Sequence, residues 1–111
     1  MKKTYRQGDV LLERVDALPK TNKLTKVKPT NRRVILAHGE ATGHHHSVLA
    51  SKATLYREEE TQATYLEISE ALKDLAQLEH QEHAPIALAP GVYRVVRQRE
   101  YSPQAIRNVA D

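Results

Sequence analysis

The clearest strand signal in this sequence is the run Pro90-Gly91-Val92-Tyr93-Arg94-Val95-Val96-Arg97. Pro-Gly marks a turn, and the β-branched and aromatic residues after it predict a long strand over residues 92–101. Ser102 then offers an N-cap with proline at the first helical position, which predicts a short C-terminal helix over residues 103–110.

Short apolar segments separated by turn residues precede this strand. They predict a strand at residues 5–15 with a bend or bulge at Gly8-Asp9, a buried strand at 34–37, a strand at 44–50, and a hairpin of 54–57 with 63–68. Together these segments predict a mainly β fold, a small barrel or sandwich with a short C-terminal helix, in a single domain over residues 1–111.

Two segments between these strands carry weaker signals. Residues 20–33 are rich in Lys, Thr, Asn and Pro, and they predict a mobile loop that is remote from the chemistry. Residues 69–75 predict a short helix or turn that begins at the N-cap Ser69, with extended chain after it. A strand with Leu78 and His80 on its inward side is the alternative for the end of this segment.

The composition excludes several classes of protein. The sequence contains no cysteine, so disulfides, thiolate metal ligands and cysteine nucleophiles are ruled out. No apolar run approaches the roughly 20 residues that span a bilayer, and the basic N-terminus lacks the apolar segment of a signal peptide. We therefore expect a cytoplasmic protein without membrane association, in which any metal is held by His, Asp, Glu or water.

Charge is distributed unevenly along the chain. Residues 1–33 contain 10 Lys and Arg against 3 Asp and Glu, whereas residues 38–83 contain 3 against 9. A basic N-terminal third suits a phosphate-bearing partner such as RNA or a nucleotide. The alternative is that these charges are solvated or face each other across the fold.

The histidines provide the main functional signal, and the first group contains His38, His44, His45 and His46. In an extended chain His44 and His46 point to one side of the strand and His45 points to the other. A same-side pair of imidazoles is suited to a divalent transition metal ion such as Zn, Mn, Fe or Ni.

The second group, His80-Gln81-Glu82-His83, can complete such a site. We predict His44, His46, His80 and His83 as metal ligands, with His80 as a fourth ligand or a proton shuttle. Glu82 or Glu40 would act as general base or carboxylate ligand. The alternatives are a polar loop that binds metal adventitiously and ordinary surface histidines. A zincin helix is excluded, because it needs histidines four residues apart with Glu directly after the first.

Four segments of the chain resemble a small family of bacterial and phage hypothetical proteins. They are residues 5–10, 39–46, 80–86 and 90–101, which include Gly-His-His-His and His-Gln-Glu-His-Ala-Pro-Ile. No function is assigned to that family, so the resemblance implies a shape and no chemistry.

A looser resemblance is to the cupins, whose first motif carries His-x-His and a Glu and whose second carries a His. By that resemblance His44, His46 and His83 stand at ligand positions. The sequence departs from the motif after His46, because Ala50-Ser51-Lys52 occupies the stretch where the Glu is expected.

The leading functional hypothesis is a metal-dependent hydrolase that acts on a phosphodiester of RNA or a nucleotide. In this hypothesis the metal activates a water molecule, and Glu82 or Glu40 accepts its proton. The first alternative is a metal-independent ribonuclease that uses one histidine from each group as acid and base. The second is a binding module in which the histidines hold or sense a metal and the basic third docks a partner.

Overall fold

The computed structural model describes residues 3–21, 23–38, 44–70 and 75–97. Within these residues the chain forms β-strands and no helix, which confirms the mainly β prediction. The strands are β1 (Thr4–Gln7), β2 (Val10–Val15), β3 (Leu24–Lys26), β4 (Arg33–His38), β5 (His45–Leu49), β6 (Ala53–Glu58), β7 (Thr64–Ile68), β8 (Ala76–Leu78), β9 (Ile86–Leu88) and β10 (Gly91–Arg97).

Strand β10 lies inside a six-stranded antiparallel sheet with the order β1-β2-β10-β7-β6-β3. It pairs with β2 on one side, where Val95 is opposite Leu12, and with β7 on the other, where Tyr93 is opposite Leu66. In the part of the chain that the structure describes, β1 and β3 are the open edges of this sheet. The barrel prediction is therefore wrong, because closure would require the edge strands to pair.

The remaining strands form two small sheets, β4-β5 and β8-β9, which share one apolar core with the large sheet. An isolated bridge between Ser47 and Glu79 joins the two small sheets. The buried apolar side chains alternate along β2, β6, β7 and β8, as expected when one face of each strand is covered. On β4 a register shift between Ile35 and Ala37 interrupts the alternation. The buried apolar side chains are Val10, Leu12, Val34, Ala37, Val48, Ala53, Leu55, Leu66, Ile68, Ala76, Leu78, Leu88 and Tyr93. The sandwich alternative stays a prediction.

The segment at residues 5–15 is a hairpin and not one bent strand. Gln7 pairs with Val10, so Gly8 and Asp9 are the two residues of a tight turn between β1 and β2. Gly8 has a φ of 59° at the first central position, where a type II′ turn favours glycine. The prediction of a single strand was wrong because Gly-Asp between two strand-forming runs is itself a hairpin signal.

The other local predictions had mixed outcomes. The hairpin of β6 and β7 and the extended chain after residue 75 are confirmed. The loop prediction for 20–33 was wrong in part, since β3 pairs with β6 and places Lys26 opposite Tyr56. The strand signal is weak there because β3 has only three residues and lies between Lys23 and Lys28 in a Lys-rich segment. Most of the helix predicted at 69–75, and all of that at 103–110, lies outside the described residues.

Across the described ranges, none of the chain forms a helix long and apolar enough to cross a membrane.

The shared core predicts a large difference between two leucine substitutions. Leu66 on β7 is fully buried, whereas Leu49 at the end of β5 is 38% exposed. We expect Leu66→Ala to lower the free energy of unfolding by about 2–5 kcal/mol, because it removes packed atoms and leaves a cavity. The matched Leu49→Ala should cost less than about 1 kcal/mol. Urea denaturation measures both values, and equal losses would contradict the described core.

Candidate metal centre

The fold brings four histidines from two distant segments together. Ser47 and Glu79 exchange backbone hydrogen bonds of 2.8 and 2.9 Å, so β5 lies against the chain that follows β8. Arg33 reinforces this junction, since its side chain donates to Ser47 Oγ and to Glu79 Oε1. The residues next to the bridge are His46 on one segment and His80 on the other, and these two rings are therefore neighbours.

The rings form a connected cluster around His80. The centroid of the His80 ring lies 4.4 Å from that of His46, 4.7 Å from that of His83 and 5.6 Å from that of His44. The His46 and His83 rings are 5.8 Å apart. All four histidines predicted as ligands thus lie close together, with His46 fully buried and His44 partly exposed.

The β1–β2 turn adds a carboxylate that the sequence analysis did not identify. Asp9 is 8% exposed, and its Oδ1 lies 3.6 Å from His46 Nε2. Two ligand atoms bound to one tetrahedral zinc at about 2.1 Å are separated by about 3.4 Å. The distance between these two atoms is therefore longer than a hydrogen bond and close to the spacing of two ligands on a shared ion.

Gly8 lies directly beneath the rings. A Cβ atom added to Gly8 would lie 3.0 Å from His83 Nε2 and 3.2 Å from His46 Cε1. The absence of a side chain, together with the positive φ, therefore lets the turn approach both imidazoles. The Nε2 atom of His83 is buried and has no hydrogen-bond partner within the described chain.

Gln7 determines which nitrogen of His46 carries the hydrogen. Its Nε2 donates to the carbonyls of Leu78 (3.0 Å) and Ala84 (2.9 Å), which uses both amide hydrogens. Its Oε1 therefore faces His46 Nδ1 at 2.9 Å and must accept, so Nδ1 is the donor. In a neutral ring the lone pair is then on Nε2, directed towards Asp9.

Burial keeps the His46 ring neutral. Removal from water, and secondarily the neighbouring His80, lower the pKa of His46 from 6.5 to about 4, although Asp9 acts in the opposite direction. Burial and His83 also lower the pKa of His80. Neutral imidazole is the form that binds a metal ion, so His46 is ready to coordinate near pH 7.

His80 has the opposite hydrogen position. Its Nδ1 accepts a 3.0 Å hydrogen bond from the backbone N–H of Glu82, so the lone pair is on Nδ1 and the hydrogen is on Nε2. That Nε2 atom is buried and finds no acceptor among residues 3–21, 23–38, 44–70 and 75–97. Two adjacent imidazoles thus present different groups, a lone pair from His46 and an N–H from His80.

The remaining predicted residues lie at the edge of the cluster or outside the described chain. His44 Nδ1 is 3.4 Å from Glu82 Oε1, and both side chains are partly exposed. His45 contacts the ring of His38, and its backbone N–H donates to Gln81. The prediction of Glu40 as a general base falls on a residue outside the described part.

Arg97 of β10 holds the carboxylate of Asp9. Its Nε donates to Asp9 Oδ2 at 2.7 Å, and its Nη2 donates to the His38 carbonyl at 2.6 Å. The guanidinium thereby fixes one oxygen of the carboxylate while the other faces His46. In the described chain no three His, Asp or Glu side chains already have the geometry of a metal site. An ion would therefore require side-chain rotations.

Asp9, Gln7 and Gly8 are the site residues that sequence reasoning missed. The available signal was the Gly-Asp turn, which would have placed a carboxylate at a hairpin tip. Nothing in the spacing showed that this tip lies against the histidines, because that contact depends on how β1, β5 and β8 pack.

The burial of His46 predicts acid sensitivity in the metal-free protein. Its pKa is about 4 in the folded chain against an ordinary value of 6.5, so between these pH values the unfolded chain binds more protons. Acidification from pH 6.5 to 4 should therefore lower the free energy of unfolding. In EDTA we expect the loss in the wild type to exceed that in His46→Asn by on the order of 2–3 kcal/mol. Urea denaturation across this range tests the difference, and identical pH profiles would contradict it.

Comparison with known proteins places this cluster inside a family domain. Residues 6–98 match the model of a domain of unknown function, DUF8820. No curated protein and no solved structure matches the chain. The matched range contains the hairpin turn and both histidine groups. The expectation of an uncharacterised family is confirmed, whereas a bacterial and phage origin stays a prediction. Because the match spans most of its length, the chain belongs to the DUF8820 family.

Proposed function

We propose that this protein binds one divalent transition metal ion through His46 Nε2, His83 Nε2 and Asp9 Oδ1. The observation that carries the proposal is the 3.6 Å approach of His46 Nε2 to Asp9 Oδ1 above a glycine that leaves room for His83. Both atoms of this pair are electron-pair donors, and a cation between them would be bound by both.

The donor set fits the ions expected from the sequence. Imidazole nitrogen and carboxylate oxygen suit Zn, Mn, Fe and Ni, and two histidines with one carboxylate leave positions open for water or substrate. Gln7 and Arg97 would act as the outer hydrogen-bond partners that orient His46 and Asp9. A cupin-like arrangement also belongs to this proposal, with Asp9 in place of the Glu that is missing after His46.

Hydrolysis of a phosphodiester is the reaction that we propose for this centre. A bound zinc ion would lower the pKa of its water to about 7 and would neutralise charge on phosphate oxygens. The partly exposed pair of His44 and Glu82 lies at the edge of the cluster, where a carboxylate could accept the proton of the attacking water. The basic N-terminal third supports RNA or a nucleotide as the substrate class.

A metal-independent acid–base ribonuclease is the second candidate. It is favoured by the finding that, within the described chain, no three potential ligands are already arranged as a metal site. It would use His80 from the second group with His44 or His46 from the first, and its activity would survive EDTA. Loss of cleavage in EDTA with recovery on Zn or Mn would support the metal-dependent hydrolase instead.

The proposed ligand set predicts which substitutions abolish metal binding. We expect tag-free protein purified without chelator to carry close to one transition metal ion per chain. His46→Ala, His83→Ala and Asp9→Asn should each reduce this content at least tenfold, because each removes a donor. His45→Ala should retain the metal, since its side chain lies towards His38. Elemental analysis by mass spectrometry measures the content.

The matched control for the carboxylate is Asp16→Asn, because Asp16 is exposed and follows β2 at the end opposite the β1–β2 turn. It should leave the metal content unchanged. Metal content below a tenth of an ion per chain in the wild type after growth in supplemented medium would overturn the proposal. Equal loss in the His45 and His46 variants would show that the triplet binds metal as a loop.

The proposed nucleic acid substrate predicts a specific salt dependence. Lys26 and Lys28 are exposed, whereas Lys23 forms an ion pair with Glu60. If the basic third contacts single-stranded RNA, replacing Lys26 and Lys28 with Gln should reduce the slope of log affinity against log salt by about 1.4. Lys23→Gln is the matched control and should have a smaller effect. Fluorescence anisotropy with oligouridine tests this, and an unchanged slope would remove the argument for RNA at this surface.

A further inference from the structure

We infer that His80 is not a ligand of the proposed ion but a hydrogen-bond donor to the exogenous anion or water bound on it. This inference rests on the proposed function, because it needs an ion at His46, His83 and Asp9. His80 would thereby take part in binding the substrate oxygen.

The hydrogen position of His80 excludes coordination in this arrangement. A nitrogen binds a metal ion through its lone pair, and the lone pair of His80 is on Nδ1, where it accepts the Glu82 N–H at 3.0 Å. Coordination through Nε2 would require the hydrogen to move to Nδ1, where it would face the Glu82 N–H. The local turn from His80 to Glu82 therefore opposes a ligand role.

The position of the ring points to a donor role. The His80 ring is closer to His46 (4.4 Å) and to His83 (4.7 Å) than those two rings are to each other (5.8 Å). It therefore lies alongside both proposed ligands. A group bound at an open position of the ion on this side of the cluster would meet the His80 ring.

The Nε2–H group also lacks a hydrogen-bond partner among the described residues. It is buried, and within the described ranges it donates to no acceptor. A buried donor without an acceptor is costly, and buried polar groups in native proteins are nearly always hydrogen-bonded. An oxygen or nitrogen atom of a metal-bound anion would supply the missing acceptor, and an N–H directed at such an atom would stabilise negative charge on it.

The test uses cobalt as the ion and azide as the anion. Metal-free wild-type, His80→Met and His80→Gln proteins are titrated with Co²⁺, followed by its visible absorption, and the loaded proteins are then titrated with azide. Met removes the donor, whereas the Gln amide can place an N–H near the position of Nε2. We expect all three to bind one Co²⁺ with similar affinity. Azide should bind His80→Met about tenfold more weakly, as expected for a lost hydrogen bond to a charged group, with partial recovery in His80→Gln.

The outcomes separate this inference from the metal site itself. Loss of Co²⁺ from His80→Met and His80→Gln as complete as from His83→Ala would show that His80 is a ligand and overturn the inference, while the metal site would stand. Unchanged azide affinity in His80→Met would also overturn it. A wild type that binds no Co²⁺ would overturn both proposals. Circular dichroism of each variant confirms folding, and His80→Gln keeps the test decisive if His80→Met does not fold.

Discussion

The side-chain amide of Gln7 is the interaction on which the arrangement of the site depends. Gln7 is 3% exposed at the end of β1, and its amide bonds simultaneously to the carbonyls of Leu78 and Ala84 and to the His46 ring. These three contacts join the hairpin that carries Asp9 to the segments that carry the histidines. A buried amide must satisfy all of its groups at once, so the network permits one orientation of the amide and one hydrogen position on His46.

The two central imidazoles differ because their hydrogen-bond partners differ. A side-chain carbonyl opposite Nδ1 makes His46 an acceptor at Nε2, whereas a backbone N–H opposite Nδ1 makes His80 a donor at Nε2. Both rings are buried, so burial alone cannot produce this contrast. Two buried histidines that made only structural contacts would normally satisfy each other or the backbone. The unpaired N–H of His80 within the described chain is therefore the kind of local inconsistency that marks functional sites.

The sequence predicted the elements of this fold better than their arrangement. Runs of Val, Ile and Tyr between turn residues identified β10 and the β6–β7 hairpin because those signals are local. The grouping of the histidines was also visible, since His44–His46 and His80–His83 are compact in sequence. Asp9 was not recognisable as a site residue, because its approach to His46 is made by strands distant in the chain. Strand β3 was missed because it is a three-residue edge strand within a Lys-rich segment of loop-like composition.

The charges around Asp9 indicate what the proposed ion would bind. Arg97 already balances the Asp9 carboxylate through a 2.7 Å hydrogen bond, so among the described groups the addition of a divalent ion leaves two excess positive charges. Glu82 at the edge cancels at most one of them. In a buried, poorly screened site this excess favours an anion at the open positions of the ion. Hydroxide and a phosphodiester oxygen are both such ligands, and the N–H of His80 would reinforce the same preference. A centre that carried two carboxylates without Arg97 would instead favour a neutral ligand, so the ion pair with β10 would decide the charge of the ligand that the proposed centre prefers.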